Sequence, residues 1–353
     1  MLREVIEKLV NGKSLSYQEA YMSMTEIMSG KATQAQVAAF LTALRMKGET
    51  IEEMVAFASA MRSFCYGIKP SVNGRLVDTC GTGGDRIKTF NISTAAAFVV
   101  AGADVPVAKH GNRSVTSRSG SADVLEFLGL NLSVPPETVE ASIKHVGIGF
   151  MFAPAFHPAM KNVATTRKEI GIRTIFNVLG PLANPANANA QLVGVYDIYL
   201  VEKVAKVLKE LGLEEAMVVH GLDGLDEIST VGKTAIAWLR DGDVETLEVT
   251  PEMLGVKKAN IEKIASSSPS QSAETIFRVL YNCLGPGDSE WDIVAVNAAA
   301  GIIVGGKADE FAYGLELARE AIESGAAYKK LRELVKFYGG SMEKLEELEA
   351  KYG

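Results

Sequence analysis

The sequence predicts an α/β protein in which a small all-helical N-terminal domain precedes a larger domain with a central, mainly parallel sheet covered by helices. Two observations lead to this fold class. Residues 1 to about 66 carry only helical patterns. From Gly74 onward, short β-rich runs alternate with helical runs, which is typical of parallel strands joined by helices. We expect the domains to span 1–70 and 71–353, with helices from about 160–190 joining the first domain.

The helical domain contains repeated helix-start signals. In each of them Ser or Thr precedes Glu or Gln by three residues, which is the pattern of a capping box. The pairs are Ser16 with Glu19, Thr33 with Gln36 and Thr50 with Glu53. Gly30 and Gly48 stand where the first two of these helices should end. The Met and Phe residues at helical spacing predict a core or a subunit interface rather than a cofactor site.

The larger domain is predicted to contain six strands and eight helices. The strands are expected at 75–79, 105–109, 131–134, 148–152, 191–196 and 215–220. The helices are expected at 92–102, 121–128, 136–145, 156–169, 198–211, 272–283, 291–304 and 309–323. The remaining segments have weaker patterns. The segment 241–261 suggests an added hairpin, and 177–185 is dense in turn residues and resembles a crossing between domains. The tail 328–353 suggests charged helices with a solvated outer face.

Composition argues against several classes of protein. The 353 residues are 47% hydrophobic, and 36 basic residues stand against 43 acidic ones, for a net charge of −7. This balance disfavours binding to nucleic acid or to an anionic membrane. The three cysteines form no C-x-x-C pair, which argues against a disulfide framework or a zinc site. With neither a signal peptide nor a membrane span recognisable, we expect a cytoplasmic protein.

A glycine-rich loop from Asp78 to Asp85 is the strongest local signal. It follows a predicted strand and is itself followed by Asn91-Ile92-Ser93-Thr94 at the start of a helix. Glycine backbone and a helix N-terminus together offer unpaired N–H groups to an anion. Arg86 rules out the Rossmann pattern, and no lysine follows the last glycine as a Walker loop requires. A phosphate-rich ligand and a simple tight turn are equally compatible with the loop alone.

A second polar loop follows the strand predicted at 105–109. It runs from Lys109 to Asp123 and concentrates basic, hydroxyl and amide side chains, and Ser119 or Ser121 could cap the next helix. Two such loops at neighbouring strand ends could enclose one pyrophosphate-sized anion. Such an anion commonly arrives with Mg²⁺, which prefers oxygen ligands. Asp226 and Glu227, in a loop after another predicted strand, are the best candidates for that metal.

Further candidates are less specific. Arg167 could hold a substrate carboxylate through paired hydrogen bonds, although a lone arginine more often forms a surface ion pair. His110 and His157 lie in polar loops, but no spacing makes either one a general base. The sequence has no nucleophile elbow and no histidine metal motif. We therefore assign no acid or base catalyst.

Six ordered motifs resemble the anthranilate phosphoribosyltransferases, which have a nucleoside phosphorylase-like fold. They are Asp78 to Asp85, Asn91 to Thr94, Lys109 to Arg113, Ser119 to Asp123, His157 to Met160, and Gly180 to Leu182. The resemblance implies a homodimer formed through the helical domain and a ligand cleft at the hinge. It also implies that anthranilate displaces pyrophosphate from phosphoribosyl pyrophosphate (PRPP) during tryptophan biosynthesis, with two Mg²⁺ ions per active site.

The resemblance also implies a set of site residues. The implied PRPP contacts are Gly81, Gly84, Asp85, Thr89, Asn91, Ile92, Ser93, Thr94, Lys109, His110, Gly111, Asn112, Arg113, Ser114, Val115, Thr116, Ser117 and Ser121. The implied anthranilate contacts are Gly81, Asn112, His157, Arg167 and Pro181. The implied magnesium ligands are Ser93, Asp226 and Glu227. Contact with anthranilate synthase is left open.

Two alternatives remain at this stage. A pyrimidine nucleoside phosphorylase-like enzyme would share the fold, but it should lack the set from His110 to Arg113 and the pair Asp226-Glu227. A non-catalytic relative that binds nucleic acid conflicts with the net charge of −7 and with the intact phosphate and metal set.

Overall fold

The structure is a computed structural model that describes residues 1–84, 87–114, 119–266 and 268–353. The N-terminal part is helical, with α1 at Leu2–Val10, α2 at Tyr17–Met28, α3 at Gln34–Lys47 and α4 at Ile51–Ser63. All three predicted capping boxes form, because each Ser or Thr side chain accepts a backbone N–H while the Glu or Gln reaches back. The start signals of this domain are therefore confirmed.

One sheet organises the second part of the described chain. Its strands are β1 at Val77–Gly81, β2 at Val107–Gly111, β3 at Ile148–Phe152, β4 at Ala190–Gly194, β5 at Glu215–Gly221, β6 at Thr234–Arg240 and β7 at Asp243–Val249. Their order is β3-β2-β1-β4-β5-β6-β7, and the first five pair in parallel. The last two strands form an antiparallel extension. The predicted fold class, a helical domain followed by a mainly parallel α/β domain, is confirmed.

Helices cover both faces of this sheet. Those before β4 are α5 at Ile92–Gly102, α6 at Ser121–Phe127, α7 at Pro136–Val146, α8 at Ala153–Phe156, α9 at Lys161–Ile170 and α10 at Phe176–Leu182. The later ones are α11 at Tyr199–Glu210, α12 at Ile261–Ile264, α13 at Pro269–Leu280, α14 at Ser289–Val304, α15 at Phe311–Glu323, α16 at Ala326–Phe337 and α17 at Glu343–Tyr352. No helix in the described part of the chain has the length and apolarity needed to cross a membrane.

Two strand predictions were wrong. The segment 131–134 is a loop, because the Asn131 side chain accepts the Ser133 N–H at 3.0 Å and so forms a local turn that competes with strand pairing. The hairpin predicted at 241–261 begins earlier in the chain. Its first strand, β6, ends at Arg240, and only its second strand, β7, lies within the predicted range. We missed β6 because its Ala, Leu and Trp residues fit a buried helix as well as a strand.

Three helical segments also differ from the prediction. The helix expected at 156–169 is interrupted, because Pro158 begins a separate 3₁₀ turn between α8 and α9. The segment 177–185, expected to be a crossing, is largely the helix α10, whose residues Leu179 and Leu182 are fully buried. The tail does form helices, but Leu331 and Leu345 are also fully buried, so one face belongs to the core.

Two hydrophobic clusters lie on opposite faces of the sheet. Successive residues of β5 face opposite sides of the sheet, so Met217 belongs to one cluster and Val218 to the other. The cluster containing Met217 includes α5, α13, α14 and α16. The cluster containing Val218 includes the four N-terminal helices, α11 and the segment from Ile175 to Ala183. The N-terminal helices are thus packed together with the segment that contains α10.

The strand order reverses between β1 and β4. In open α/β sheets a crevice forms at such a point, outside the carboxyl ends of the strands. β1 and β4 end in register at Gly81 and Gly194. A Cβ atom at Gly194 would lie 1.5 Å from the backbone oxygen of Asp226, so only glycine permits the loop after β5 to approach this point. The loops that follow β1, β4 and β5 therefore meet at this edge of the sheet.

Candidate active site

A cavity of about 370 Å³ opens at the carboxyl ends of β1 and β2. Its opposite wall comes from α9, α10 and the turn containing His157. Most of the residues predicted from the sequence line it. They are Gly81, Gly84, Thr89, Asn91, Ile92, Ser93, Lys109, His110, Gly111, Asn112, Arg113, Ser114, Ser121, His157, Arg167, Pro181, Asp226 and Glu227.

Among the predicted site residues that the structure describes, Thr94 does not line the cavity. It is fully buried in the first turn of α5, and its backbone N–H donates to the Asn91 carbonyl at 3.1 Å. The structure therefore argues against a direct role for the Thr94 side chain. The predicted contacts Asp85, Val115, Thr116 and Ser117 lie outside the described residues.

The glycine loop is held at consecutive residues by different parts of the fold. The Thr82 N–H donates to the Gly194 carbonyl at 2.9 Å, and the Thr82 hydroxyl accepts the Tyr196 N–H at 3.1 Å. The Gly83 N–H donates to the Asp226 carboxylate at 2.9 Å. Both N–H groups are thus paired within the protein, and the loop, fixed in this way, lines one side of the cavity.

The acidic pair predicted to bind metal reaches both the glycine loop and α5. The Asp226 carboxylate contacts the loop, whereas the Glu227 carboxylate accepts the Ser93 N–H at 3.2 Å. Burial raises the pKa of Asp226, although the Gly83 N–H and the charges of Lys88 and Arg173 oppose that rise. Ser93, Asp226 and Glu227 thus present hard oxygen donors on one side of the cavity.

A buried polar network lies beneath the cavity. The Asp78 carboxylate accepts hydrogen bonds from the His110 N–H at 3.3 Å, from the Asn184 amide at 2.8 Å and from the Gln191 amide at 3.3 Å. The Gln191 amide also donates to the Pro181 carbonyl at 2.7 Å. These contacts join β1, β2 and β4 to the end of α10, so the network sets the positions of several cavity residues.

Lys109 connects this network to the ligand-facing side. Its ammonium group is buried and donates to the Thr79 carbonyl, and it lies 3.5 Å from the Ser93 hydroxyl. Burial lowers the pKa of Lys109, while the nearby Asp78 carboxylate opposes that change. Conversely, burial raises the pKa of Asp78, and Lys109 opposes it. The two groups therefore favour each other's charged forms in a region with little water.

The rings of His110 and His157 lie against each other at the cavity wall, with centroids 5.0 Å apart. Burial lowers the pKa of His110 to about 3 and the pKa of His157 to about 4, so both rings are neutral near pH 7. The His157 Nε2 pairs with the Ala183 carbonyl at 3.0 Å. The His110 Nε2 and the His157 Nδ1 are buried and, among the described residues, have no hydrogen-bond partner.

Arg167 provides a cationic group on the opposite wall. Its guanidinium lies 5.2 Å from the centroid of the Phe176 ring, and burial lowers its pKa. Within the described ranges it forms no ion pair with an acidic side chain. A half-buried guanidinium beside an aromatic ring can hold the carboxylate of a planar ligand.

The second polar loop is attached through Asn91. The Asn91 side-chain oxygen accepts hydrogen bonds from Ser119 at 2.7 Å and from Ser272 at 2.9 Å. Neither predicted serine caps α6, which was an error: Gly120 is the N-cap residue, and its N–H donates to Asp123 at 3.1 Å. The glycine avoids close contacts with the backbone at Asn112 to Ser114, where a Cβ would lie 2.3 Å from the Ser114 nitrogen.

Arg113 differs from the other predicted phosphate contacts. Its guanidinium pairs with Asp123 at 2.9 Å and with Glu126 at 2.6 Å on α6. These partners raise its pKa above the ordinary value. In this structure its charge is therefore directed toward α6, although the residue lines the cavity.

Sequence reasoning missed several residues that shape the site. Asn184 and Gln191 support Asp78, Phe176 packs beside Arg167, and Arg173 contacts the glycine loop at Gly84. The one usable signal was Asp78 itself, since a carboxylate inside a buried strand needs partners. No spacing in the sequence could have identified those partners, because they come from distant segments.

Comparison with known proteins agrees with this architecture. The family model described as "Glycosyl transferase family, helical bundle domain" matches residues 3–65, and "Glycosyl transferase family, a/b domain" matches residues 73–328. The chain therefore belongs to this glycosyl transferase family. It is also 50% identical to the anthranilate phosphoribosyltransferase of Petrotoga mobilis, over 96% of this chain and 97% of the relative. The corresponding Methanocorpusculum labreanum protein is 52% identical, over 96% and 99%.

Solved structures give the same result. The anthranilate phosphoribosyltransferase of Thermus thermophilus has a TM-score of 0.89 and 40% identity, over 95% of this chain and 99% of that one. The Saccharomyces cerevisiae enzyme in complex with PRPP and Mg has a TM-score of 0.88 and 29% identity, over 96% and 98%. Within the glycosyl transferases, the chain belongs to the anthranilate phosphoribosyltransferases.

The neutral histidines predict a pH dependence of stability. Between the ordinary pKa of 6.5 and the folded value of about 4, His157 binds a proton only in the unfolded chain. Stability should therefore fall as the pH drops through this interval, by about 3 kcal/mol for this ring. We expect His157→Gln to lose less stability than the wild type between pH 7 and pH 4.5, as measured by urea unfolding.

The control for this experiment is His145→Gln, which removes an exposed histidine from α7. If wild type and His157→Gln lose equal stability over this pH range, the buried neutral state of His157 is wrong.

Proposed function

We propose that this chain transfers the phosphoribosyl group of PRPP to the amine of anthranilate, with both substrates bound in the cavity between the glycine loop and Arg167. The observation that carries the proposal is the juxtaposition of an anion-binding wall and a separate cationic wall. Gly81 to Gly84, Lys109 and the acidic pair form the first, and Arg167 with Phe176 forms the second. The chain is thus a pentosyltransferase of tryptophan biosynthesis, as its family membership indicates.

PRPP binds along the first wall in this proposal. The glycine loop, the start of α5 and the loop after β2 surround its phosphates, and the positive end of the α5 dipole and the polar side chains of the second loop attract them. The ammonium of Lys109 adds positive charge beneath them. Asp85 and Val115 to Ser117 remain predicted contacts on the basis of resemblance alone.

Magnesium fits the oxygen donors of the same wall. Ser93, Asp226 and Glu227 offer a hydroxyl and two carboxylates, and Mg²⁺ usually completes such a set with substrate phosphate and water. Among the described residues no group of three His, Cys, Asp or Glu side chains is placed to hold a metal ion. When bound, Mg²⁺ would neutralise charge on the leaving pyrophosphate. Two ions per site remain the number we propose.

Anthranilate binds against the second wall. Arg167 pairs with its carboxylate, while Asn112, His157 and Pro181 surround the ring and Gly81 lies between the substrates. A nitrogen–C1 bond forms as the bond from C1 to pyrophosphate breaks, and the amine then releases one proton. The lone pair of an arylamine is already free near pH 7, so binding and alignment supply most of the catalysis.

The two alternative functions are less well supported. The chain retains His110 to Arg113 and the pair Asp226-Glu227, which a pyrimidine nucleoside phosphorylase-like enzyme should lack. A nucleic-acid-binding relative conflicts with the net charge of −7.

A direct assay separates these possibilities, because anthranilate fluorescence should fall only when PRPP and Mg²⁺ are both present. Phosphorolysis of a nucleoside without anthranilate consumption would contradict our proposal.

We further propose that two copies of the chain form a homodimer through the helical domain. Val10, Met46 and Tyr199 are 70%, 84% and 85% exposed, at the ends of α1 and α3 and the start of α11. α11 is linked to the end of α3, since Lys203 on α11 donates to the Glu49 carbonyl just after α3 at 3.0 Å. A second copy would cover these apolar side chains.

Cytoplasmic location and contact with anthranilate synthase remain predictions from the sequence.

Arg167→Ala should raise the KM for anthranilate by about tenfold or more, because one charge-assisted pair is lost. The KM for PRPP should change far less. Steady-state kinetics with each substrate varied in turn would measure the difference. Arg167→Lys keeps the charge and should recover part of the affinity. Equal increases in both KM values would contradict the assignment of Arg167 to anthranilate.

Changing Asp226 to Asn and Glu227 to Gln together should raise the Mg²⁺ concentration needed for half-maximal activity. The substitutions keep side-chain size but remove the negative charges that attract the cation. Titration of Mg²⁺ at saturating PRPP measures this requirement. Asp223→Asn, in the same loop, serves as the matched control. An unchanged metal titration in the double variant would rule out this metal site.

The dimer proposal predicts that Met46→Glu with Tyr199→Glu converts the protein to a monomer. The wild type should have twice the 37.7 kDa mass of one chain by light scattering after gel filtration. Two buried carboxylates at the interface would oppose association. Met253→Glu, at a 67% exposed residue of the large domain, should leave the mass unchanged. A monomeric wild type would contradict the homodimer.

A further inference from the structure

Arg173 makes an unusual contact with the glycine loop from outside the cavity. It lies between α9 and α10, and its guanidinium donates to the Gly84 carbonyl. The contact is close, because a Cβ atom on Gly84 would lie 2.8 Å from the Arg173 Nη2. Gly84 also has a φ of 82°, so a side chain there would be strained as well as crowded. The backbone of Gly84 is thus shaped to receive the guanidinium.

Tyr196 holds the guanidinium from the other side. The Arg173 Cζ lies 4.2 Å from the centroid of the Tyr196 ring, which is within the range of a cation–π interaction. The Tyr196 backbone N–H donates to the Thr82 hydroxyl at 3.1 Å. Thr82, Tyr196, Arg173 and Gly84 therefore form a closed set of contacts around the loop. Stacking on the ring reduces the freedom of an otherwise flexible arginine side chain.

The clamp joins parts of the protein that bind different substrates. Gly84 belongs to the loop assigned to PRPP, whereas Arg173 follows Arg167 in the segment assigned to anthranilate. The remaining contacts of the loop, from Gly83 to Asp226 and from Thr82 to Gly194, attach it only to the sheet side. In the described part of the chain, the hydrogen bond from Arg173 attaches residues 82–84 to the segment between α9 and α10.

We propose that Arg173 and Tyr196 form a positioning clamp that holds Thr82 to Gly84 in the shape that binds PRPP. This inference rests on the proposed function of the cavity. The clamp does not touch the reacting atoms. It fixes the Gly84 carbonyl, and thereby the backbone of the loop that lines the cavity. It also ties the position of this loop to that of the anthranilate-binding segment.

The test compares Arg173→Ala, Arg173→Lys, Tyr196→Leu and the double variant Arg173→Ala with Tyr196→Leu. The KM for PRPP should rise about tenfold in Arg173→Ala, as expected for one charge-assisted hydrogen bond, while the KM for anthranilate changes much less. The Tyr196→Leu substitution should add little in the Arg173→Ala background, because both residues act through one clamp. Guanidinium chloride at a non-denaturing concentration should lower the PRPP KM of Arg173→Ala.

The matched control is Lys168→Ala, which removes an exposed positive charge from the last turn of α9, close to Arg173 in the chain. It should keep the wild-type KM values and show no guanidinium rescue. An unchanged PRPP KM in Arg173→Ala, equal increases for both substrates, or fully additive effects in the double variant would overturn the clamp.

Calorimetric titration with PRPP and Mg²⁺ separates this inference from the function itself. A wild type that binds PRPP without consuming anthranilate would refute the function, and the affinity of Arg173→Ala would still test the clamp.

Discussion

The site depends on the burial of one carboxylate, Asp78, within β1. A charged group in that position is costly unless every oxygen is hydrogen-bonded, and its partners come from β2, β4 and the chain just after α10. Lys109 provides the compensating charge. Satisfying this carboxylate therefore fixes the relative positions of the sheet and of the segment that forms the opposite wall. Loss of one partner would be felt on both sides of the cavity.

Close backbone packing is the second constraint. Gly194 lets the backbone at Asp226 lie against the end of β4, and this brings the acidic pair to the glycine loop and to α5. The same approach lets the two carboxylates accept the N–H groups of Gly83 and Ser93. Such an arrangement is favourable only when a cation or a protein N–H neutralises the local negative charge. Two carboxylates would repel a free phosphate, so this side of the cavity suits a metal–phosphate complex better.

The sequence predicted local features well, because capping boxes, glycine loops and strand-end polar residues depend on neighbours along the chain. It also predicted much of the cavity, since parallel strands end at one edge of the sheet. It could not predict that β4 lies beside β1, and hence that Gln191 and Tyr196 meet Asp78 and Thr82. The failure at 131–134 has a related cause, because a side-chain turn at Asn131 outweighed the alternation of apolar residues.

The neutral histidines fit a reaction that needs little proton transfer from the protein. A charged imidazolium at His110 or His157 would repel Arg167 and would be poorly solvated in the cavity. Neutral rings instead add no charge to this part of the cavity. An arylamine retains its lone pair near pH 7, so its attack needs no prior removal of a proton. In the proposed binding mode, the wall that contains His157 and Arg167 contributes the orientation of that lone pair toward C1, and the precision of this orientation depends on how firmly the glycine loop is held opposite.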